Sequence, residues 1–334
     1  MPNAKSKKTK HVQPIKKSTI KQERNPSTEE CNKPRNHFIK DASSPYTFSY
    51  RQYGHTQTIT VNQTPDEDTW PGGALWDIGV LLAKVLVMIN TPPPLIKNSK
   101  ELYVERLKAP GLWPSSWKDC KILELGCGVG LTGLVGASLG CRLSLLTDLD
   151  AVVEKVTHPN VELNKPSFTR GQQVIAMSLC WGKDDDEQAC RNILVNNMKN
   201  GSNANVKRKK KKPSSIKVSN DIQIQALENT DPDIVLIGDV AYQHKPGAPS
   251  HFDILLSTLL KFTKTRKTTV IFGTRMRMPA SADLLEMFRE HFEEVVNPPI
   301  EAHELDTSFH PHSLGRNSLI TIHIFKRKVS STDL

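Results

Sequence analysis

The feature that most constrains the fold is a glycine-rich turn between a short buried strand and a helix. Residues 121–125 (KILEL) are typical of such a strand, and glycines 126, 128 and 130 follow it directly. Glycine permits a tight turn and lets a ligand approach the backbone without a blocking Cβ atom. The small, mostly apolar residues 131–140 then predict a helix. This order predicts a ligand site at the carboxyl edge of a parallel sheet.

Predicted strands and helices alternate after this turn. Further strands are expected at 142–147, 173–179, 233–238, 268–273 and 319–326. Helices are expected after Asp148 as far as about residue 164, at 251–262 and at 281–292. Such alternation is typical of a parallel sheet, because each crossover between parallel strands is made by a helix. We therefore predict an α/β fold with a Rossmann-like sheet and helices on both of its faces.

The chain divides into a folded body and two polar regions. We expect a disordered basic tail at 1–44, a hairpin and helix packed on the core at 45–120, and an α/β domain at 121–328 with a disordered Lys-rich insert at about 184–230. Alternating β-branched and aromatic residues predict the hairpin at 46–63. The helix is predicted from Ala74 to Ile89 and ends before three prolines.

The positive charge of the chain is confined to those polar regions. The formal net charge is +10, but residues 1–40 carry +8 and residues 199–217 another +8, which leaves −6 for the rest. A nucleic-acid enzyme more often carries positive charge on its folded surface. Solvated disorder accounts for both tracts, although KRKKKK at 207–212 also fits nuclear import or RNA tethering. We expect neither a secretory signal nor a membrane span.

The glycine turn can be interpreted as a binding site for either of two ligands. From Gly128 onward the chain fits G-x-G-x-x-G, a pattern of dinucleotide-binding proteins that is weak by itself. Glu124, however, precedes the first glycine, where a carboxylate repels a pyrophosphate but suits the amino end of a methionyl group. Asp148 ends the next strand and suits the ribose hydroxyls of either ligand. The residues therefore favour S-adenosylmethionine over a nicotinamide dinucleotide.

The order of several short motifs resembles methyltransferase family 16, the seven-strand protein-lysine methyltransferases. The resemblance covers about 46–327 without the insert, and its marks are Leu75-Trp76-Asp77, Glu124–Leu131, Thr147-Asp148, Leu179–Gly182 and Gly238–Tyr242. The last of these fits the D-x-x-Y pattern of the family. The resemblance implies a seven-strand methyltransferase sheet that is preceded by the hairpin and helix and uses S-adenosylmethionine. We expect no metal, since the sequence offers no set of ligands at suitable spacing.

The resemblance also implies roles for the matching residues. The expected cofactor-binding residues, with Glu124, are Trp76, Gly126, Cys127, Gly128, Asp148, Trp181 and Gly238. The expected catalytic residues are Asp239 and Tyr242, with Tyr242 at the acceptor channel. Other interpretations stay open for three of them, because Trp76 also suits a core, Asp239 a helix cap and Tyr242 simple packing. Tryptophans 70, 113 and 117 are interpreted as packing, and Arg275 and Arg277 as contacts to an acidic substrate or ordinary surface residues.

The expected reaction is in-line transfer of a methyl group to a lysine of a protein substrate, such as a translation factor or chaperone. Asp239 would position the amine or take its proton. The alternatives are methylation of arginine, histidine or RNA, and a non-catalytic protein that tethers RNA or protein through its basic arms. Prolines typical of RNA amino-methylating enzymes are missing after Gly238, which disfavours an RNA substrate. We expect a monomer without membrane contact, in the cytoplasm, the nucleus or both.

Overall fold

A computed structural model describes residues 41–90, 102–169, 171–201, 231–240, 251–275, 279–306, 308 and 319–328. The predicted catalytic Tyr242, most of the basic tail and residues 202–230 of the insert lie outside the described residues. Within the described ranges, none of the helices combines the length and the apolar character that a membrane crossing requires.

The strands form a hairpin and one large sheet. The hairpin pairs β1 (Tyr46–Gln52) with β2 (His55–Val61). The sheet contains β3 (Lys121–Leu125), β4 (Leu143–Asp148), β5 (Gln173–Ser178), β6 (Ile234–Gly238), β7 (Thr269–Arg275), β8 (Phe292–Glu294), β9 (Ile300–Glu301) and β10 (Ile320–Arg327). The prediction did not include β8 and β9, because two or three residues carry no readable alternation.

The order of the strands places a crevice at the glycine turn. The sheet runs β5-β4-β3-β6-β7-β10-β8, with β9 against β10. Strands β3 to β7 are parallel, whereas β10 is antiparallel to its neighbours. From β3 the chain proceeds outward to β4 and β5, and then returns to β6 on the other side of β3. Such a reversal opens a crevice at the carboxyl ends of the central strands.

Helices cover both faces of the sheet. They are α1 (Asp77–Asn90), α2 (Leu102–Leu107), α3 (Leu131–Ser138), the three-part α4 (Asp150–Val152, a π-helical Val153–Thr157, and His158–Asn164), α5 (Asp184–Gly201), α6 (His251–Phe262), α7 (Pro279–His291) and α8 (Ala302–Leu305). One apolar cluster joins the hairpin, α1 and α3 to one face, and a second joins α5, α6 and α7 to the other. The predicted α/β class with helices on both faces is therefore confirmed.

Two asparagines attach the hairpin to the α/β domain. The amide of Asn164 donates to the Thr60 carbonyl (2.7 Å) and accepts from the Thr60 N–H (3.1 Å). Asn160 makes the same pair of bonds to Asn62, at 3.0 and 2.8 Å. Residues four apart on a helix lie on one face, as do residues two apart on a strand. The helix α4 therefore replaces a neighbouring strand for this edge of the hairpin.

The disorder predicted for 184–230 is wrong for its first part. Residues 184–201 form α5, whose Glu187, Cys190 and Leu194 are buried. Four acidic residues in the first turn stabilise the positive end of the helix dipole. The prediction failed because the segment is mostly polar, and the helix buries only a narrow stripe of side chains.

Candidate active site

The glycine turn bends sharply because three of its residues adopt left-handed backbone angles. The φ angles of Gly126, Gly128 and Gly130 are +70°, +52° and +79°. The N–H groups of Gly126 and Cys127 both donate to the Thr147 carbonyl at 2.9 Å. The turn is thereby fixed against the end of β4, and it lies beside the crevice.

A cavity of about 370 Å³ opens at this place. Nine of the ten predicted site residues are described, and all nine line the cavity: Trp76, Glu124, Gly126, Cys127, Gly128, Asp148, Trp181, Gly238 and Asp239. They come from the segment before α1, from the ends of β3, β4 and β6 and the turns that follow β3 and β6, and from the loop after β5. The sheet topology thus brings together residues that lie up to 163 positions apart in the chain.

Asp148 presents its carboxylate at the end of β4. One oxygen accepts the Gly128 N–H and the other accepts the Leu149 N–H, both at 2.8 Å. Burial raises the pKa of Asp148, and these two backbone donors oppose the shift. Each carboxylate oxygen has a further lone pair for a hydroxyl of a ligand. The carboxylate is therefore held in one orientation and can still accept from two hydroxyl groups.

Glu124 is a buried carboxyl group that lines the cavity. Its Oε2 atom accepts the Gly133 N–H at 2.8 Å, next to the start of α3. Burial raises the pKa of Glu124 to about 8, although the bond from Gly133 opposes the shift. A carboxyl group whose charge is so poorly compensated favours a cationic ligand group, which would stabilise its ionised form.

The residues present fit S-adenosylmethionine. A Cβ atom at Gly126 would lie 3.5 Å from the Trp181 ring and 3.0 Å from a methyl group of Val240, so the missing side chain leaves space within the cavity wall. Asp148 offers acceptors for ribose hydroxyls, and Glu124 offers a partner for an ammonium group. Aromatic rings of Trp76 and Trp181 supply apolar surface for the remainder of the ligand.

Asp239 follows β6 in a conformation that is rare for a residue with a side chain. Its φ angle is +52°, and its N–H donates to the Gly273 carbonyl of β7 at 3.0 Å. A non-glycine residue in the left-handed region is uncommon, although aspartate tolerates it better than most residues. Strained backbone of this kind clusters at functional sites. The residue type alone did not reveal this conformation.

Sequence reasoning missed several residues of the cavity. Trp70, which was interpreted as packing, lines the cavity and meets Trp76 edge to face, with ring centroids 5.7 Å apart. Leu149 lines the cavity as well and is 58% exposed. His251, at the start of α6, is a further lining residue. A large apolar side chain directly after Asp148 was a readable signal for Leu149, whereas Trp70 and His251 reach the cavity only through tertiary packing.

The structure corrects the interpretation of Arg275. The residue is buried at the end of β7, and its Nη2 atom lies 2.6 Å from Oδ2 of Asp77. It is neither a surface residue nor a contact for an acidic substrate. Arg277 lies outside the described residues.

Residues 55–198 match the model of a protein family described as lysine methyltransferase. A stretch of 79 residues is 32% identical to the ribosomal protein L11 methyltransferase of Acetivibrio thermocellus, and it covers 24% of this chain. The match spans about a quarter of the length of that relative (23%).

Solved structures of methyltransferases are also similar to this chain. One, determined with S-adenosylhomocysteine, has a TM-score of 0.44 and 10% identity over 86% of this chain and 58% of its own. An S-adenosylmethionine-dependent methyltransferase from Agrobacterium tumefaciens has a TM-score of 0.39 and 14% identity over 84% and 70% of the two chains. Because these TM-scores are below 0.5, the fold assignment rests on the strand order described above.

The family match and the chain's own site agree. The match covers the hairpin strand β2, the glycine turn and the Asp148 strand, and it supports S-adenosylmethionine as the cofactor. Over residues 55–198, which are less than half of the chain, the resemblance to methyltransferase family 16 is thereby confirmed.

Proposed function

We propose that this protein is an S-adenosylmethionine-dependent methyltransferase that methylates a lysine side chain of a protein substrate. The acidic lining of the cavity is the observation that carries this proposal. Four carboxyl groups line it, from Asp68, Glu124, Asp148 and Asp239, and its described lining residues include no lysine or arginine. Glu124 keeps its proton below a pH of about 8 and Asp68 pairs with Lys155, so Asp148 and Asp239 are the groups that favour a cationic side chain over the phosphates of a nucleic acid.

The cofactor would be held at its ribose and at its methionyl end. Asp148 would accept the ribose hydroxyls, and Glu124 would accept the ammonium group of the methionyl moiety. When bound, S-adenosylmethionine supplies a methyl group on a sulfonium, which is already a strong electrophile. The protein must therefore mainly bring the acceptor into line and exclude water from the reacting atoms.

The acceptor amine must lose a proton before it reacts, because a free lysine has a pKa of about 10.4. Its transfer from water into the cavity favours the neutral amine. Asp239, at the carboxyl end of β6, would orient the amine by accepting one of its N–H bonds, and would pass the released proton to solvent. Asp148 and Glu124 would hold the cofactor that supplies the methyl group, while Asp239 would hold the amine that accepts it.

A protein acceptor is supported over RNA by two further observations. Outside 1–40 and 199–217 the chain carries a net charge of −6, since the excess positive charge resides in those two tracts. In addition, the similar curated protein is named for a ribosomal protein rather than for an RNA. A translation factor or chaperone remains the substrate class that we propose.

Titration calorimetry with S-adenosylmethionine, S-adenosylhomocysteine and NAD tests the cofactor first. We expect tight binding of the first two ligands and none of NAD. The acceptor is then sought with tritium-labelled S-adenosylmethionine in a cell lysate, with and without RNase. The proposal is supported if the label is found in protein, resists RNase and is recovered as methyllysine. Label in RNA, arginine or histidine would replace it by one of the alternatives. A failure to bind either methyl cofactor would favour the non-catalytic tether.

Replacement of Asp239 by asparagine should lower the rate of methyl transfer about a hundredfold, in the range typical of a lost catalytic proton or positioning contact. Asparagine also tolerates a positive φ, so the backbone conformation should survive and only the charge is removed. The affinity for S-adenosylhomocysteine should change less than twofold. Single-turnover transfer and calorimetry measure the two quantities separately.

Asp68→Asn is the matched control, since Asp68 lines the same cavity but forms an exposed ion pair with Lys155. Its transfer rate should stay within a few-fold of the unmodified protein. An Asp239→Asn protein of full activity would show that Asp239 has no part in the reaction.

A further inference from the structure

We infer that Asp77 and Arg275 are positioning residues that hold Asp239 in its left-handed conformation at the acceptor side of the cavity. Neither residue lines the cavity. The inference rests on the proposed function for its catalytic meaning, but its structural content can be measured without any activity.

The two residues form a buried ion pair between α1 and the sheet. Asp77 is the first residue of α1 and Arg275 is the last residue of β7. Their side chains are 0% and 9% exposed, and Nη2 of Arg275 lies 2.6 Å from Oδ2 of Asp77. The carboxylate also lies at the positive end of the dipole of a 14-residue helix. The pair therefore attaches the start of α1 to the carboxyl end of β7.

The helix directly after Asp77 rests on two glycines of the sheet. A Cβ atom at Gly273 would lie 2.4 Å from the Ile78 side chain, and one at Gly238 would lie 3.1 Å from the Leu82 side chain. Gly238 and Gly273 face each other across β6 and β7. The close approach of α1 to these strands thus depends on glycine at both positions.

Gly273 connects this contact to Asp239. Its carbonyl accepts the Asp239 N–H at 3.0 Å, and Arg275 lies two residues further along the same strand. A shift of β7 relative to α1 would move that carbonyl and remove the bond that fixes Asp239 at a φ angle of +52°. The ion pair and the two glycines therefore determine together where the Asp239 carboxylate points.

Stability alone is a poor explanation for this pair. The loss of hydration when two charges are buried offsets most of the free energy gained from their attraction. Apolar residues of similar size often stabilise a fold equally well. An ion pair that is also a hydrogen bond, unlike an apolar contact, has a preferred direction. A directional link is useful where one neighbouring backbone bond must be held in place.

The test replaces both charges together, as Asp77→Leu/Arg275→Met, so that neither member of the pair is left without the other. Lys84→Met is the matched control, because Lys84 lies seven residues after Asp77 on the same helix and forms its own ion pair with Asp306. Three quantities are measured: hydrogen exchange of the Asp239 amide by NMR, the affinity for S-adenosylhomocysteine, and the rate of tritium transfer from S-adenosylmethionine to lysate protein.

We expect the double variant to stay folded, to exchange the Asp239 amide at least tenfold faster, and to transfer methyl groups ten- to a hundredfold more slowly. Its affinity for S-adenosylhomocysteine should stay within about threefold, and in an Asp239→Asn background the double change should add little, since residues that act through one group are not additive. Lys84→Met should alter none of these quantities.

An Asp239 amide that exchanges at the same rate in the double variant would overturn the inference, as would an equal effect of Lys84→Met. If the unmodified protein transfers no methyl group to any acceptor, the proposed function fails, whereas the amide exchange still decides the positioning role. Should the double variant not fold, Asp77→Asn retains the shape of the side chain and serves for the same measurements.

Discussion

The Asp148→Ala protein should bind S-adenosylhomocysteine about a thousandfold more weakly than the unmodified protein. Hydrogen bonds to a charged group contribute roughly 1.5–3 kcal/mol each, and the loss of two of them corresponds to about three powers of ten in affinity. The change also removes the acceptor of the Gly128 N–H, so the turn itself loses a contact at 2.8 Å. Titration calorimetry measures the affinity directly.

Asp150→Ala is the matched control for this result. Asp150 lies two residues further along, is exposed, and accepts a hydrogen bond from Ser178 at 2.6 Å, but it does not line the cavity. Its affinity for the ligand should stay within about twofold of the unmodified protein. Equal losses in both variants would mean that general damage to the end of β4, and not a ligand contact, explains the effect.

The second large effect is on stability, where Glu124→Gln should make the ligand-free protein more stable at alkaline pH. Burial raises the pKa of Glu124 from 4.5 to about 8 in the folded protein. Between these two values the folded protein binds a proton that the unfolded chain has lost, so the stabilising effect of that proton declines as the pH rises and is lost above about 8. Glutamine is never ionised and avoids this loss. The variant should gain on the order of 2–4 kcal/mol relative to the unmodified protein between pH 5 and pH 9.

Urea denaturation at pH 5 and pH 9 measures this difference. Glu187→Gln is the control, because the buried Glu187 accepts hydrogen bonds from Lys261 (2.5 Å) and Thr258 (2.8 Å). Removal of that charge should destabilise the protein at both pH values, since it leaves Lys261 without its buried partner. A Glu124→Gln protein that is no more stable than the unmodified protein at pH 9 would show that the carboxyl group is not desolvated.

The same variant should bind S-adenosylhomocysteine about tenfold more weakly than the unmodified protein, because the ammonium group of the ligand loses an ionic partner.

The glycine turn and the strands around it were predictable because local constraints determine them. Left-handed backbone angles at Gly126, Gly128 and Gly130 favour glycine wherever they occur, and buried parallel strands require continuous apolar runs. The carboxyl ends of adjacent parallel strands always meet at one edge, so Glu124, Asp148 and Asp239 were expected near one another. Helix α5 was not predicted, because a polar surface helix and a polar disordered segment have similar compositions.

The amino-acid sequence by itself determined the α/β class and the crevice edge, because both depend on spacing along the chain and on the type of residue. Several residues that line the cavity, such as Trp76 and Trp181, were expected there only from the family resemblance. Only the tertiary structure decided that Trp70 and His251 join the cavity, that Arg275 is buried against Asp77, and that Asp239 is held at a positive φ. These features depend on how α1, the approach to it and α6 pack on the sheet. Contacts between residues almost two hundred positions apart, such as Asp77 and Arg275, leave no periodic signal in the chain, since they arise only when separate elements meet.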